Sequence, residues 1–309
     1  MVGDNGYIRQ RTLASAASCR GIGLHSGQSV AMTLLPAAPG SGIVFRRVDA
    51  GVEIPAVWSN AVEANLCTTL SGGRGIEVKT IEHLMAALSG SGVDNAVVEL
   101  DGAEVPAMDG SAAPFVALIE RAGTIAQDMP RRAIKIMKPV RVGTDGVSAM
   151  LLPEDGFSMS FEIEFDNPLI RRQDILVEFE SDTFRTQLSR ARSFCLLDEI
   201  ERMRAAGLAQ GGSLDNAVVV SGDRVLNDGG LRFADEFVRH KLLDAFGDLY
   251  LAGGPIVGHF HGSRSGHALT RQLLAALFAD RDAWCATTLA DTAAPPASAW
   301  PQPVQLAVA

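Results

Sequence analysis

Short apolar runs separated by turn residues open the chain. Ser29 to Leu35 and Ile43 to Val48 read as strands, with the turn-rich segment 36–42 between them. Ile76 to Lys79 is extended and leads to Thr80, the expected N-cap of a helix over Ile81–Ser89. Gly90 and Gly92 end that helix, Asn95 to Leu100 returns as a strand, and Ser111 to Ala122 follows as a second helix. The polar, proline-containing stretch Asp128–Arg132 reads as a linker. Beyond it the rhythm resumes, with strands near Ala133–Val142, Ser148–Leu152 and Met159–Phe165 and then helical patterns.

No repeat is visible residue by residue, yet the order of elements is similar on either side of Asp128. The pattern predicts an α+β protein with two domains of comparable size, residues 1–128 and 129–290. Residues 291–309, rich in Ala and Pro, are expected to form a loose tail.

Composition narrows the class. The chain has 309 residues, 47% hydrophobic and 20% charged, which suits a globular enzyme rather than a disordered chain. Its net charge of −9 argues against non-specific attraction to nucleic acid. Cys19, Cys67, Cys195 and Cys285 form no C-x-x-C pair and read as free thiols of a reducing compartment. The polar Met1–Thr12 carries no secretory run, and no stretch is long enough to span a bilayer, so a cytoplasmic protein is expected.

The strongest chemical signal lies in Asp235–Asp248. At about 100° per residue on a helix, His240, Asp244 and Asp248 fall on one stripe. Leu242, Leu243, Phe246, Leu249 and Tyr250 take the arc expected to face the core. His and Asp at i, i+4 can point at one ion, and their mixed nitrogen and oxygen donors suit zinc better than magnesium or calcium. Taken alone, the pair is also the commonplace ion pair of a solvated helix face. A metal site needs a third ligand. His83 can supply it from a helix otherwise filled by Ile81, Leu84, Met85 and Leu88, although a lone His there also reads as a satisfied core residue. Glu82 beside it suits proton removal from a metal-activated water, or merely compensates the helix N-terminus. Both neighbours reach one site only if the metal sits near the helix end.

Three further histidine segments compete. His267 follows a glycine and precedes an apparent helix, Ala268–Phe278, where it could protonate a leaving amine, stabilise an oxyanion, or simply cap a turn. His259 and His261 alternate on an apparent strand and form a rival metal pair. Gly21–Gly27 lacks the strand–loop–helix context of a phosphate loop, and His25 within it reads as a turn residue.

Together these segments resemble the UDP-3-O-acyl-N-acetylglucosamine deacetylase family of lipid A biosynthesis in Gram-negative bacteria. The matching text includes Gly23–Gly27, Thr80–His83, Asp109–Phe115, Ser189–Arg192, Gly211–Ser213, Glu236–Lys241 and Ser265–Leu269. The likeness starts at Gln10 and leaves out only the first residues and the tail. It implies two similar two-layer α/β sandwich domains with the active site at their interface, each domain carrying an insert, the second over about 196–220. It implies Zn2+ held by His83, His240 and Asp244, with Glu82 as general base and a protonated His267 facing the oxyanion or leaving amine. Asp248 would orient His267, and Lys241 would approach the sugar or phosphate. Phe194 would lie against substrate. Ser193 stands where the family has threonine; it keeps the hydroxyl that can steady an oxyanion but loses a methyl. Leu196, Leu197, Ile200, Met203 and Leu208 recur at helical spacing, and the resemblance makes them the wall of an acyl-chain passage. Packing of an ordinary core explains the same spacing. The implied partner is a small-molecule acylated UDP-amino-sugar, acted on by a monomer. A zinc amidohydrolase for another acylated amino sugar, or a non-catalytic binder on a related fold, are the rival readings.

Overall fold

A computed structural model describes residues 6–290 and is an α+β structure with five α-helices among them. Two sheets form its frame. The first has five strands in the spatial order Ala17–Ile22, Ser29–Pro36, Ala96–Leu100, Ile43–Arg47 and Val52–Pro55. All neighbours are antiparallel except Ile43–Arg47 with Ala96–Leu100, which run parallel. The second sheet contains the order Val140–Thr144, Val147–Leu152, Ile256–Ser263, Phe157–Glu164 and Arg172–Glu178. Its directions are the same: antiparallel throughout save Phe157–Glu164 with Ile256–Ser263. Arg132–Ile136 joins this sheet at the start of Ile256–Ser263, running parallel to it at Ile256 and Val257, and Trp284–Thr288 pairs antiparallel with Arg132–Ile136.

The helices repeat the correspondence. Helix α1 (Glu82–Gly90) precedes the central strand of the first sheet and α2 (Ala113–Ala122) follows it. After α3 (Leu197–Ala205) in the second insert, α4 (Glu236–Leu249) precedes the central strand of the second sheet and α5 (His267–Ala279) follows it. Each half therefore has one sheet, one helix pair and one insert before the first helix of the pair. The first insert carries the small strands Ala61–Val62, Thr69–Ser71 and Glu77–Val78; the second carries Phe194–Leu196, α3, Val218–Ser221 and Arg224–Val225. Helices α1 and α4 pack directly on each other, bringing the halves together. Tyr250 adds to this contact by donating its hydroxyl to the Val93 carbonyl at 2.8 Å.

Alternation explains the sheets. In Ser29–Pro36, Val30, Met32 and Leu34 are buried while the residues between them are not. In Phe157–Glu164, Met159, Phe161 and Ile163 are buried on one face, with Ser160, Glu162 and Glu164 on the other. Three expectations need correction. The segment read as a linker is strand: Asp128 lies in Thr124–Pro130, paired with Arg9–Leu13, and Arg132 begins the next strand. The apparent strand Ala133–Val142 is two, Arg132–Ile136 and Val140–Thr144, because Pro139 lacks the N–H a continuous ladder needs. Thr80 is not a helix cap. It sits at φ +58°, donates its hydroxyl to Glu104 Oε1 at 3.0 Å, and leaves Ile81 at the cap position. The expected tail, 291–309, lies outside the described residues.

Candidate active site

The facing surfaces of α1 and α4 build the site. The start of α1 carries Glu82 and His83 in succession, so both side chains reach beyond the helix end. Helix α4 presents His240, Asp244 and Asp248 one turn apart. A solvated ion pair is excluded here: His83, His240 and Asp244 are each 5% exposed, and Glu82 and Asp248 3%. The helix is also less amphipathic in its surroundings than its stripe suggested. Between Glu236 and Leu249 only Arg239 and Lys241 are not buried, because α1 covers the polar side. Gly247 permits that cover; a Cβ there would overlap the Glu82 carbonyl.

Ligand atoms of His83, His240 and Asp244 lie within 4.8 Å of one another, the one such grouping of three or more among the described residues. The rings of His83 and His240 stand edge to face at 5.0 Å. Asp244 Oδ1 is 3.4 Å from Nε2 of each histidine, yet it is buried with no hydrogen-bond partner. The other oxygen, Oδ2, accepts from Lys241 Nζ at 2.9 Å. Such an orphaned carboxylate oxygen between two imidazole nitrogens is costly unless a cation completes it. Two nitrogens and one oxygen, with a fourth direction open to a cavity, fit a catalytic zinc.

His240 Nδ1 lies 3.2 Å from the Ala191 carbonyl, an arrangement that directs Nε2 toward the cluster. Burial pulls the His240 pKa down to about 4, against the pull of Asp244, so the ring is neutral as a ligand must be. Asp244 stays well below the usual carboxylate range. Burial opposes its charge, but the nearby His240, Lys241 and His83 outweigh that cost.

A second group lies beside the first. His267, the first residue of α5, places Nδ1 2.7 Å from Asp248 Oδ2. Its Nε2 is 3.8 Å from Glu82 Oε1 and 3.9 Å from Asp244 Oδ2. Burial disfavours a charged ring, but Asp248 and then Glu82 more than reverse this and push the pKa up to about 9. Burial raises the Glu82 pKa, opposed by His267 and His83. A carboxylate with raised proton affinity and a cationic imidazole thus face one gap, as acid–base work requires.

The gap opens into a cavity of about 870 Å3. Ser193, Phe194 and Lys241 line it, and Phe194 stands edge-on to the His240 ring at 6.2 Å. The Ser193 backbone is held from both sides: its N–H donates to Gly110 O at 2.8 Å, and its carbonyl accepts from Val218 at 2.7 Å. Leu196, Leu197, Ile200 and Met203 of the second insert form an apolar wall. None of α3 is fully buried, so these side chains are not ordinary core. Leu208 is half-buried in the same insert.

His259 and His261 do share a strand face, but they hydrogen-bond with Ser158 and Ser160 and stand apart from the cluster. His25 is more than a turn residue. It is buried in the cavity wall, its backbone N–H donates to Glu104 Oε1 at 2.8 Å, and its side-chain Nε2 has no partner. Thr68, too, joins the site, through Glu82 and Asp248. The glycines around His25 disclose a tight turn without disclosing where it points. Thr68 lies in a stretch with no periodicity.

A buried cluster of two histidines and a carboxylate that could hold a metal, beside Glu82 and His267 at the mouth of an apolar cavity, is an arrangement suited to a metal-dependent hydrolase. The family of UDP-3-O-acyl N-acetylglycosamine deacetylases matches residues 10–279. A UDP-3-O-acyl-N-acetylglucosamine deacetylase of Saccharophagus degradans is 48% identical over 295 residues, covering 94% of this chain and 97% of the relative. One of Vibrio parahaemolyticus is 47% identical over 293 residues, covering 94% and 96%. The chain belongs to this deacetylase family.

Proposed function

We propose that this protein is a zinc-dependent deacetylase that hydrolyses the acetamide of UDP-3-O-acyl-N-acetylglucosamine, releasing acetate, as the committed step of lipid A biosynthesis in the cytoplasm. The observation that carries the metal reading is Asp244 Oδ1, buried without a hydrogen-bond partner and 3.4 Å from both histidine nitrogens. When bound, zinc brings the pKa of a coordinated water toward neutrality and polarises the scissile carbonyl.

The chain's own groups do the rest. His83, His240 and Asp244 hold the ion, and Lys241 keeps Asp244 to one free oxygen. Glu82 takes the proton from the attacking water. Ser193 and cationic His267 offer hydrogen bonds to the oxygen on which charge develops. His267 then passes its Nε2 proton to the departing nitrogen while Asp248 keeps its ring aligned. Phe194 and Lys241 contact the sugar end of the substrate, and the second insert's apolar wall receives the acyl chain. The working unit is a monomer. The halves meeting near Asp128 are two domains, with this site between them.

Metal content separates the roles. Elemental analysis is expected to find zinc in the wild type and to find it lost in Asp244→Ala. Glu82→Ala retains it and loses turnover. Metal retained in the first, or near-normal rate in the second, contradicts the assignment. The substrate is tested with a UDP-linked and a UDP-free acetamido sugar: equal rates would favour an amidohydrolase of broader range.

A further inference from the structure

Thr68 touches both sides of the acid–base pair. It lies in the first insert, just before the strand Thr69–Ser71, and is buried. Its backbone N–H donates to Glu82 Oε2 at 3.0 Å. Its hydroxyl donates to Asp248 Oδ1 at 2.5 Å, and Thr68 Oγ1 is 3.1 Å from His267 Nδ1. Asp248 Oδ2, the oxygen left over, takes His267 Nδ1 at 2.7 Å.

We propose that Thr68 is a positioning residue for the hydrolysis, setting the Glu82 carboxylate with one group and the Asp248–His267 pair with another. A carboxylate whose two oxygens are both engaged cannot rotate freely. With Oδ1 taken by a hydroxyl donor, Asp248 has Oδ2 for the ring, so Nδ1 carries the hydrogen and Nε2 is the nitrogen turned to the gap. With Oε2 taken by the Thr68 N–H, Glu82 keeps Oε1 for the reacting atoms, and Oε1 is the oxygen found 3.8 Å from His267 Nε2. Thr68 itself lines a small cavity behind His267, beside Trp58, Cys67, Leu251 and Arg271, and not the large one. It therefore acts through other residues and leaves substrate binding alone. The β-branched side chain also restricts χ1, which holds the hydroxyl on Asp248.

The inference rests on the roles assigned above to Glu82 and His267, and its test separates the two. Thr68→Val keeps the shape and the backbone N–H but removes the hydroxyl; Thr68→Ser keeps both donors. In the zinc-loaded full chain, T68V is expected to lower kcat about 10- to 100-fold with KM and zinc content unchanged, and T68S to recover most of it. In the zinc-free protein, the 15N-attached Nδ1 proton of His267 should give a low-field resonance in wild type and T68S that moves or vanishes in T68V. T68A replaces T68V should the latter not fold. If T68V retains kcat while Glu82→Gln abolishes it, the Thr68 role is wrong and the deacetylase mechanism stands. If T68S is as slow as T68V, shape rather than the hydroxyl matters, and the inference is likewise overturned. If Glu82→Gln and His267→Gln both turn over normally, the underlying mechanism falls, and this inference with it.

Discussion

Asp244 gives its two oxygens different tasks, and the residues around it follow the same economy. Oδ2 is neutralised by Lys241 and Oδ1 is kept bare between two imidazoles, so the carboxylate can offer an ion one oxygen in one direction. Ser193 is set with similar care. Its backbone is pinned by Gly110 and Val218, which leaves the side chain as its free part, on the cavity wall. Gly110 has no substitute there: it is at φ +80°, and a Cβ would overlap the Asn216 carbonyl. If the Ser193 hydroxyl steadies the oxyanion, Ser193→Ala lowers kcat about 10²-fold, the cost of one such donor. Ser193→Thr, which restores the methyl and keeps the hydroxyl, should stay close to the wild-type rate. Steady-state kinetics of the two variants decide it, since an undiminished alanine variant would take Ser193 out of the chemistry. At this scale the residues that the fold gathers, His83, His240 and Asp244 beside Glu82, Asp248 and His267, were legible from residue type, spacing and resemblance. His25 and Thr68 were not, because a turn histidine and a threonine just before a short strand carry no period that shows what they face.

Among elements, the pairing of α1 with α4 decides whether the site exists. Each helix contributes part of the cluster, and their approach depends on the missing side chain of Gly247 against the Glu82 carbonyl. Gly247→Ala forces the helices apart, at a cost of about 1–3 kcal/mol typical of overpacking. Urea unfolding should show that loss, and zinc titration should show weaker binding; unchanged values in both would mean the helices have room to spare. The sequence pattern showed the two faces of α4 but not that both would be buried, since a polar stripe facing a partner looks the same as one facing water.

The start of α4 has its own anchor. Glu236, fully buried, accepts from the Arg192 backbone and guanidinium and from the Arg232 N–H. Burial works against its charge, but the Arg192 hydrogen bond and these donors outweigh it and hold the Glu236 pKa below its ordinary value. A carboxylate depressed by folding adds stability that is present above its unfolded pKa of roughly 4.3 and lost as pH falls through the lower folded value. The melting temperatures of wild type and Glu236→Gln should therefore differ most near neutral pH and converge in acid. A gap independent of pH would mean that shape, not charge, anchors the helix.

Across the whole molecule, the two halves share one strand order, one set of directions and one placement of helices and inserts. The order of elements was readable in the sequence, whereas the shared sheet topology was not. Alternating apolar positions can be met by many residue choices, so like folds need not leave a residue-level repeat. The junction was misread for a related reason: Asp128–Pro130 is polar and holds a proline, yet it pairs at an edge, where both are tolerated. The cluster draws His83 from the first half and His240 and Asp244 from the second, so an ion held there binds the assembled molecule and not its separated halves. Zinc should therefore add about 2.7 kcal/mol of stability at a free concentration 100 times its Kd and so raise the melting temperature, and chelation should reverse the rise. Glu82→Gln should keep this response and Asp244→Ala should lose it, as followed by calorimetry with and without added zinc. Because α1 and α4 join the halves, one transition should move as a unit. Two transitions, neither responding to zinc, would mean that the three ligands do not converge across that helix pair.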